Sequence, residues 1–259
     1  MAAKHIGVER KGPITIVTLS RPEVMNALNT DAHFELHDAF EAFAADPDQW
    51  VAIITGAGSK AFCAGHDLKT QASGTHRGMP PSGFGALTSR FDLTKPVIAA
   101  VNGVAMGGGF EIALACDLII AAETAIFALP EPRVGLAALA GGLHRLPRQI
   151  GLKRAMDMIL TARRVSAREG HELGFVNEVV APDDLIAVAE RWAHAICQNS
   201  PMSIRASKEA VHMGLAGSLQ QAIAEQSAYP AVRAMQTSAD YIEGPRAFVE
   251  KRPPRWTGR

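Results

Sequence analysis

The sequence predicts an α/β fold with a parallel sheet, and three observations support this prediction. Short apolar runs rich in β-branched residues recur through the first half of the 259-residue chain. Segments with a helical pattern separate these runs. From Leu152 onward the chain has a mainly helical pattern. Because parallel strands need crossover connections, which are usually helical, the alternation favours parallel pairing. The length suits one large domain or a domain with a small appendage.

The first elements follow from alternation and from capping residues. Residues 14–19 are β-rich and alternate in polarity, which predicts a strand that ends at Arg21-Pro22. The run Asn29-Thr30-Asp31 supplies capping side chains for a helix. The apolar positions of that helix are Phe34, Leu36, Phe40 and Phe43.

Three further apolar runs predict buried strands, at residues 51–56, 97–101 and 117–122. In the helical second half, Ser166 and Glu169 have the spacing of a capping box, which predicts a helix start.

Residues 70–86 are rich in glycine and proline. Segments of this composition form loops, and two interpretations stay open. The segment is a plain surface loop, or it is a mobile lid over a pocket.

The charge balance argues against large electrostatic partners. Lys and Arg together number 26, as do Asp and Glu, so the formal net charge is zero. We therefore expect no nucleic-acid and no membrane-surface partner. The N-terminus has no apolar core and does not match a secretion signal. The most apolar region, residues 97–129, is interrupted by polar residues and indicates buried core, not a membrane span.

The cysteines and the common catalytic motifs exclude several classes of site. Cys63, Cys116 and Cys197 have neither metal-ligand spacing nor a disulfide framework, which favours reduced thiols in a cytoplasmic protein. No GxxxxGK[ST], GxGxxG, GxSxG or HExxH motif is present. The sequence thus gives no support for a metal site or for nucleotide binding through these motifs.

Two glutamates are the strongest candidates for catalysis. Glu111 lies in an apolar stretch that follows three glycines, and Glu131 lies between Pro130 and Pro132. A buried carboxylate is costly unless it is paired, hydrogen-bonded or protonated. Two such residues suggest a site that handles protons. The alternative is that both are ordinary surface acids at a helix start and in a loop.

Two segments have the composition of backbone anion sites. Residues 61–68 follow a predicted strand, and Gly107-Gly108-Gly109 precedes a predicted helix. Glycines at a helix start expose N–H groups at the positive end of the helix dipole. Donors from two neighbouring loops could form an oxyanion hole, although a glycine triplet is more often a flexible turn.

Four ordered motifs resemble the crotonase (enoyl-CoA hydratase/isomerase) superfamily over nearly the whole chain. They lie at residues 21–29, 62–68, 95–111 and 248–252. The resemblance implies a spiral of repeated ββα units over residues 1–197. It further implies a helical trimerisation region at 198–259, and a homotrimer or dimer of trimers.

The resemblance also implies a chemistry. By position, the N–H groups of Ala64 and Gly108 would hold the thioester oxygen of an acyl-CoA. Glu111 would position and activate a water, and Glu131 would deliver a proton to C2. The implied activity is reversible hydration of a 2-enoyl-CoA, with no cofactor beyond the coenzyme A of the substrate.

Three other functions stay open. Many superfamily isomerases retain one of these carboxylates, so the presence of both favours a hydratase over a Δ3–Δ2 isomerase. The C-terminal residues 242–252 resemble the carnitinyl-CoA dehydratase branch. A non-catalytic acyl-CoA-binding protein is the remaining alternative.

The resemblance places the substrate-binding residues less tightly. Ala27, Ala64, His66, Asp67 and Leu68 match the nucleotide pocket of the family, and Phe248 and Lys251 match C-terminal positions that reach CoA. One departure concerns Ala138-Leu139, which replaces a Pro-Gly pair that is common in hydratases. Leu139 matches the position of a backbone N–H that helps to hold the water.

Overall fold

The computed structural model describes residues 4–67 and 78–259. Its strands are β1 (Ile6–Lys11), β2 (Ile14–Leu19), β3 (Val51–Gly56), β4 (Ala61–Cys63), β5 (Val97–Val101), β6 (Val104–Met106), β7 (Leu118–Ala122), β8 (Ile126–Ala128), β9 (Val165–Ser166) and β10 (Glu178–Val180). Its α-helices are α1 (Thr30–Ala45), α2 (Gly108–Ala115), α3 (Gly142–Ile150), α4 (Leu152–Thr161), α5 (Ala167–Leu173), α6 (Leu185–Cys197), α7 (Pro201–Gly214), α8 (Leu219–Glu225), α9 (Pro230–Gln236) and α10 (Ala239–Val249).

The strands form two sheets that are built from successive strand pairs. The larger sheet has the order β1-β2-β3-β5-β7-β10 and the smaller has the order β4-β6-β8-β9. Within each of the pairs β3/β4, β5/β6 and β7/β8, the first strand joins the larger sheet and the second joins the smaller one. All of these six strands pair in parallel with their counterparts in the neighbouring pairs. The predicted α/β fold and the repeated ββα spiral are therefore confirmed.

The long predicted elements form where their sequence patterns place them. The run at 14–19 is β2, and the three apolar runs are β3, β5 and β7. Helix α1 begins after Asn29, whose side chain accepts a hydrogen bond from the Ala32 N–H at 2.9 Å. Ser166 likewise caps α5 by accepting from the Glu169 N–H. Capping of this kind satisfies one of the free N–H groups at a helix start.

The three-residue strands β4, β6 and β8 are not among the sequence predictions. Each contains only three residues, too few to show a period of two, and each is stabilised by pairing with distant parts of the chain. Residues 61–63, treated above as part of a loop, are a buried strand of the smaller sheet.

Two buried or half-buried asparagines hold the connecting loops in place. The Asn26 Oδ1 accepts from the Arg21 N–H at 3.0 Å, and its Nδ2 donates to the Ala61 carbonyl at 2.7 Å. Asn102 accepts from the Gly56 N–H at 3.1 Å and also donates to Ala61. Both residues belong to motifs of the family resemblance, and their contacts show that they have a structural task there.

The glycine- and proline-rich segment 70–86 is described only in part. Residues 70–77 lie outside the described residues. Within the rest, Phe84, Gly85 and Ala86 form a short 3₁₀ turn that is buried against the core. This part of the segment is not a plain surface loop, and the lid hypothesis stays a prediction.

The C-terminal helices follow a helix that packs on the larger sheet. Helix α6 buries Leu185, Ala189 and Ala193 against the sheet residues of the second apolar cluster. Helix α7 is tied to the core because Lys208 Nζ lies 2.7 Å from the Asp117 Oδ2. The division into regions 1–197 and 198–259 stays a prediction. In the described ranges no helix is long and apolar enough to cross a bilayer.

Candidate active site

Glu111 lies in the first turn of α2 and is 3% exposed. Its Oε1 accepts a hydrogen bond from the Gly142 N–H at 2.8 Å. That N–H belongs to the first residue of α3, so the carboxylate of one helix is held by the N-terminus of the next. Partial positive charge at a helix N-terminus favours a carboxylate. A Cβ on Gly142 would lie 3.0 Å from the Glu111 Oε1, so a larger residue would be tightly packed against the carboxylate.

Glu131 begins a short 3₁₀ helix, Glu131–Val134, that follows β8. Its Oε1 lies 2.8 Å from the position that a Cβ on Gly107 would take. Its Oε2 is buried and has no hydrogen-bond partner among the described residues. The structure therefore brings Glu131 to Gly107 at the N-terminus of α2, one helical turn before Glu111.

Burial raises the pKa of both glutamates. The pKa of Glu111 rises from 4.5 to about 7, chiefly by burial, and the nearby Glu131 charge raises it further. The Gly142 N–H bond opposes this rise. The pKa of Glu131 is also raised by burial. Because the Glu131 charge acts on Glu111, we treat the two carboxyls as a coupled pair in which both pKa values are raised. Such a pair is suited to general acid–base chemistry.

Glu111→Gln is expected to stabilise the fold more at pH 8 than at pH 5. The folded-state pKa of Glu111 lies above its unfolded value. Its contribution to stability is therefore fully present below the unfolded pKa and is lost as the pH rises through about 7. Glutamine does not ionise and escapes this loss, which amounts to about 3 kcal/mol at most. Urea unfolding at both pH values measures it. An equal stability difference at the two pH values would contradict the prediction, and Glu123→Gln, on the surface, is the control.

Gly108 is the first residue of α2, where the N–H groups have no acceptor within the helix. The loop after β4 approaches it closely. A Cβ on Gly65 would lie 3.2 Å from the Gly108 nitrogen, and a Cβ on Gly109 would lie 2.0 Å from the Cys63 carbonyl oxygen. The two predicted glycine segments therefore meet at the N-terminus of α2, beside both glutamates.

The predicted role of Ala64 as an oxyanion donor is wrong in this geometry. Its N–H donates to the Met25 carbonyl at 3.0 Å and is not directed at a substrate. Further along the loop, the Gly65 carbonyl and the Asp67 N–H both bond to Leu28, at 2.8 and 2.9 Å. In extended backbone, successive residues direct their N–H and C=O groups to opposite sides. The N–H of the intervening His66 therefore faces away from Leu28.

The other predicted binding residues have varied surroundings. Asp67 forms an ion pair with Arg21 at 3.1 Å, and the same guanidinium donates to the Ala27 carbonyl. Arg21 therefore links Ala27 to Asp67, which lies in the loop after β4. The Asp67 carboxylate and the Ala27 carbonyl are both engaged in these contacts. Leu68 lies outside the described residues.

The prediction for Leu139 as a water-holding donor is wrong. Its N–H donates to the Ala137 carbonyl at 2.9 Å, and the residue is 81% exposed. A donor that does reach Glu111 from this loop is the Gly142 N–H, which sequence reasoning missed. The Gly141-Gly142 pair ahead of a helix is the signal that could have indicated it.

Phe248 lies in the last turn of α10, and Lys251 lies two residues beyond the end of that helix. Phe248 is 85% exposed and Lys251 is exposed as well. Neither has a hydrogen bond, ion pair or ring contact with the glutamate pair in the described part of the chain. Their predicted contact with CoA stays a prediction.

Phe84 is a second residue that the sequence analysis missed. Its ring atoms lie 2.5 Å from the position that a Cβ on Gly108 would take. The ring also packs edge-on against buried His33 at 4.5 Å between centroids, and His66 lies 6.3 Å from both. These three rings form the wall beside the N-terminus of α2. Within residues 4–67 and 78–259 there is no cluster of three or more metal-ligating side chains.

Comparison with known proteins agrees with this geometry. A family model described as Enoyl-CoA hydratase/isomerase matches residues 9–259. A carnitinyl-CoA dehydratase of Salmonella arizonae is 43% identical over 263 residues, which cover 99% of each chain. The crystal structure of an enoyl-CoA hydratase from Mycobacterium tuberculosis H37Rv has a TM-score of 0.91 and 40% identity, covering 98% of this chain and 99% of that one. The crystal structure of the enoyl-CoA hydratase EchA1 from Mycobacterium marinum has a TM-score of 0.92 and 40% identity, covering 98% of this chain and 99% of that one. The chain therefore belongs to the enoyl-CoA hydratase/isomerase family, the crotonase superfamily that its motifs resemble.

Proposed function

We propose that this protein is a 2-enoyl-CoA hydratase that adds water reversibly across the 2,3-double bond to give a 3-hydroxyacyl-CoA. The observation that supports this most directly is the pair of buried Glu111 and half-buried Glu131, which meet at the N-terminus of α2. A hydration needs one group to activate water and another to supply a proton, and two coupled carboxyls provide both.

The thioester oxygen is held by backbone donors in this proposal. The Gly108 N–H is one donor, and the direction of the His66 N–H makes it a better second donor than Ala64. As the double bond is attacked, its electron pair moves towards the thioester and negative charge develops on that oxygen. Preorganised N–H groups stabilise such an enolate without having to reorganise.

The two glutamates divide the proton transfers. Glu111 takes a proton from water as the water oxygen bonds to C3, and its pKa of about 7 suits a base at neutral pH. Glu131 then gives a proton to C2, which collapses the enolate. The unpartnered, buried Oε2 favours the protonated form of Glu131 before this step. Exchange of a proton within the pair restores the starting state. Coenzyme A enters as part of the substrate, and no separate cofactor takes part.

Carnitinyl-CoA dehydratase activity is the second candidate, because relatives with that name are 42–43% identical over nearly their whole length. Dehydration of a 3-hydroxyacyl-CoA is the same chemistry in reverse. A trimethylammonium head group is best held by aromatic faces. The rings beside Gly108 are Phe84, His33 and His66, with no Trp or Tyr in their described contacts.

We further propose that the chain acts as a homotrimer or dimer of trimers through residues 198–259. This region exposes several large apolar side chains in the single chain. They are Val211, Met213, Leu215, Leu219, Ile223, Ile242, Phe248 and Val249. Exposed apolar residues at this density mark association surfaces. Burial between subunits would also bring Phe248 and Lys251 towards bound CoA.

The test is a panel of thioesters: crotonyl-CoA, a medium-chain 2-enoyl-CoA, crotonobetainyl-CoA and a 3-enoyl-CoA. Loss of conjugated-thioester absorbance with a 3-hydroxyacyl product is the expected result for the first two. Preference for crotonobetainyl-CoA would move the assignment to the dehydratase branch. Gain of absorbance from the 3-enoyl-CoA, without a hydroxy product, would replace the proposal by an isomerase. Tight binding of the thioesters without turnover would indicate a non-catalytic binding protein.

A further inference from the structure

Arg145 lies where the two halves of the proposed site are joined. It is in α3, three residues after the Gly142 whose N–H holds Glu111. Its Nη2 donates to the Thr88 carbonyl at 2.9 Å. The guanidinium carbon lies 5.6 Å from the centre of the Phe91 ring, within cation–π range. The side chain therefore attaches the start of α3 to the turn at residues 84–91.

That turn forms the opposite side of the site. The Thr88 N–H donates to the Phe84 carbonyl at 3.3 Å, and the Phe84 ring occupies the space beside Gly108. A single arginine thus fixes the carboxylate-holding helix against the wall of the oxyanion site.

The backbone around Gly141 is shaped for this guanidinium. Gly141 has φ +106°, which side chains rarely adopt. A Cβ there would lie 2.1 Å from the Arg145 Nη1. Only glycine allows the arginine to fold back over the start of its own helix.

Arg145 is half-buried, and burial lowers the pKa of its guanidinium. Among residues 4–67 and 78–259, it forms no ion pair with a carboxylate. The Arg145 guanidinium interacts electrostatically with the Glu111 carboxylate. Glu111 also faces the carboxylate of Glu131 and the N–H groups of Ala140 and Gly142, while Arg145 also faces the Cys116 thiol.

We propose that Arg145 is a positioning residue of this site, which holds the start of α3 against the Phe84 turn and, through its charge, favours the ionised form of Glu111. The expected change in the pH dependence of kcat rests on the proposed function, whereas the expected change in the titration midpoint of Glu111 does not. A positive charge close to one carboxyl and not the other biases which of the pair carries the shared proton.

The experiment compares Arg145→Gln, Arg145→Lys and the control Arg148→Gln. Arg148 lies in the same helix but is exposed and donates only to the His144 carbonyl among the described contacts. Titration of the protonated carboxyl band by infrared spectroscopy, assigned through its loss in Glu111→Gln, reports on Glu111 without turnover. The pH dependence of kcat for the preferred thioester gives the kinetic reading.

Arg145→Gln is expected to move the Glu111 midpoint upwards by roughly half a pH unit or more, as removal of a nearby cation requires. The low-pH limb of kcat should move with it. Arg145→Lys and Arg148→Gln should keep the wild-type midpoint. An unmoved midpoint in Arg145→Gln overturns the proposal, and so does a displaced midpoint in folded Arg145→Lys. The lysine variant decides the matter if the glutamine variant does not fold. If the wild-type protein hydrates no thioester, the proposed function fails while the infrared titration still decides the role of Arg145.

Discussion

Glu131→Gln is expected to lower kcat for hydration by roughly 10²–10⁴, the usual contribution of a positioned acid or base. Glutamine has nearly the same shape but cannot give a carboxylic proton to C2. The fold should not change, because Oε2 has no partner to lose in the described structure. The KM for the thioester should change little, since the proposed contact with the reacting carbon strengthens only in the transition state. Stopped-flow loss of enoyl-thioester absorbance measures both constants.

Glu123→Gln is the matched control for this experiment. Glu123 lies in the turn after β7, is exposed, and should tolerate the same change without loss of activity. Wild-type kcat in Glu131→Gln would remove the proposed acid from the mechanism. Loss of hydration together with retained 3-enoyl-CoA isomerisation would instead show that Glu111 alone supports proton transfer.

The main elements of the fold follow from local sequence because their patterns are long enough to read. Strand β2 is a run of six β-prone residues, and α1 is a 16-residue segment with a capping Asn29. The short strands β4, β6 and β8 have no comparable pattern. Each exists because its backbone pairs with residues about twenty or more positions away, and a pattern within three residues cannot encode that.

The sequence indicated the two candidate glutamates of the site, but it did not correctly indicate which backbone N–H groups act as donors there. Glu111 and Glu131 stand out because carboxylates in apolar surroundings are costly. The assignment of Ala64 failed because the acceptor of its N–H, the Met25 carbonyl, comes from another loop. The Gly142 donor was missed for the same reason. Which backbone N–H groups face a substrate depends on tertiary contacts, and the sequence motif locates only the segment.

Gly108→Ala is expected to lower kcat by about 10²–10³, as loss of one oxyanion-hole donor does. The added Cβ would lie 2.5 Å from the Phe84 ring, closer than real side-chain contacts allow. That ring is buried against His33 and cannot move away freely. The N-terminus of α2 must then shift, and its N–H no longer meets the thioester oxygen. Gly214→Ala is the control, because a Cβ there meets only Ala222 at 3.4 Å.

A second substitution, Phe84→Leu, tests whether the clash with the Phe84 ring causes the loss of kcat in Gly108→Ala. In a Phe84→Leu background the ring atoms that meet the new Cβ are gone, so Gly108→Ala can enter without displacing α2. If the misplaced N–H causes the loss, the double variant Phe84→Leu/Gly108→Ala should have nearly the same kcat as Phe84→Leu alone. Because the energies of neighbouring residues couple, the difference between the effects of Gly108→Ala in the two backgrounds is the interaction between the two positions. Wild-type kcat in the single variant Gly108→Ala would show that the Gly108 N–H does not hold the thioester oxygen. Binding of the 3-hydroxyacyl-CoA, followed by calorimetry, should stay nearly constant throughout, because a donor that acts on developing charge contributes to the transition state and not to the bound ground state.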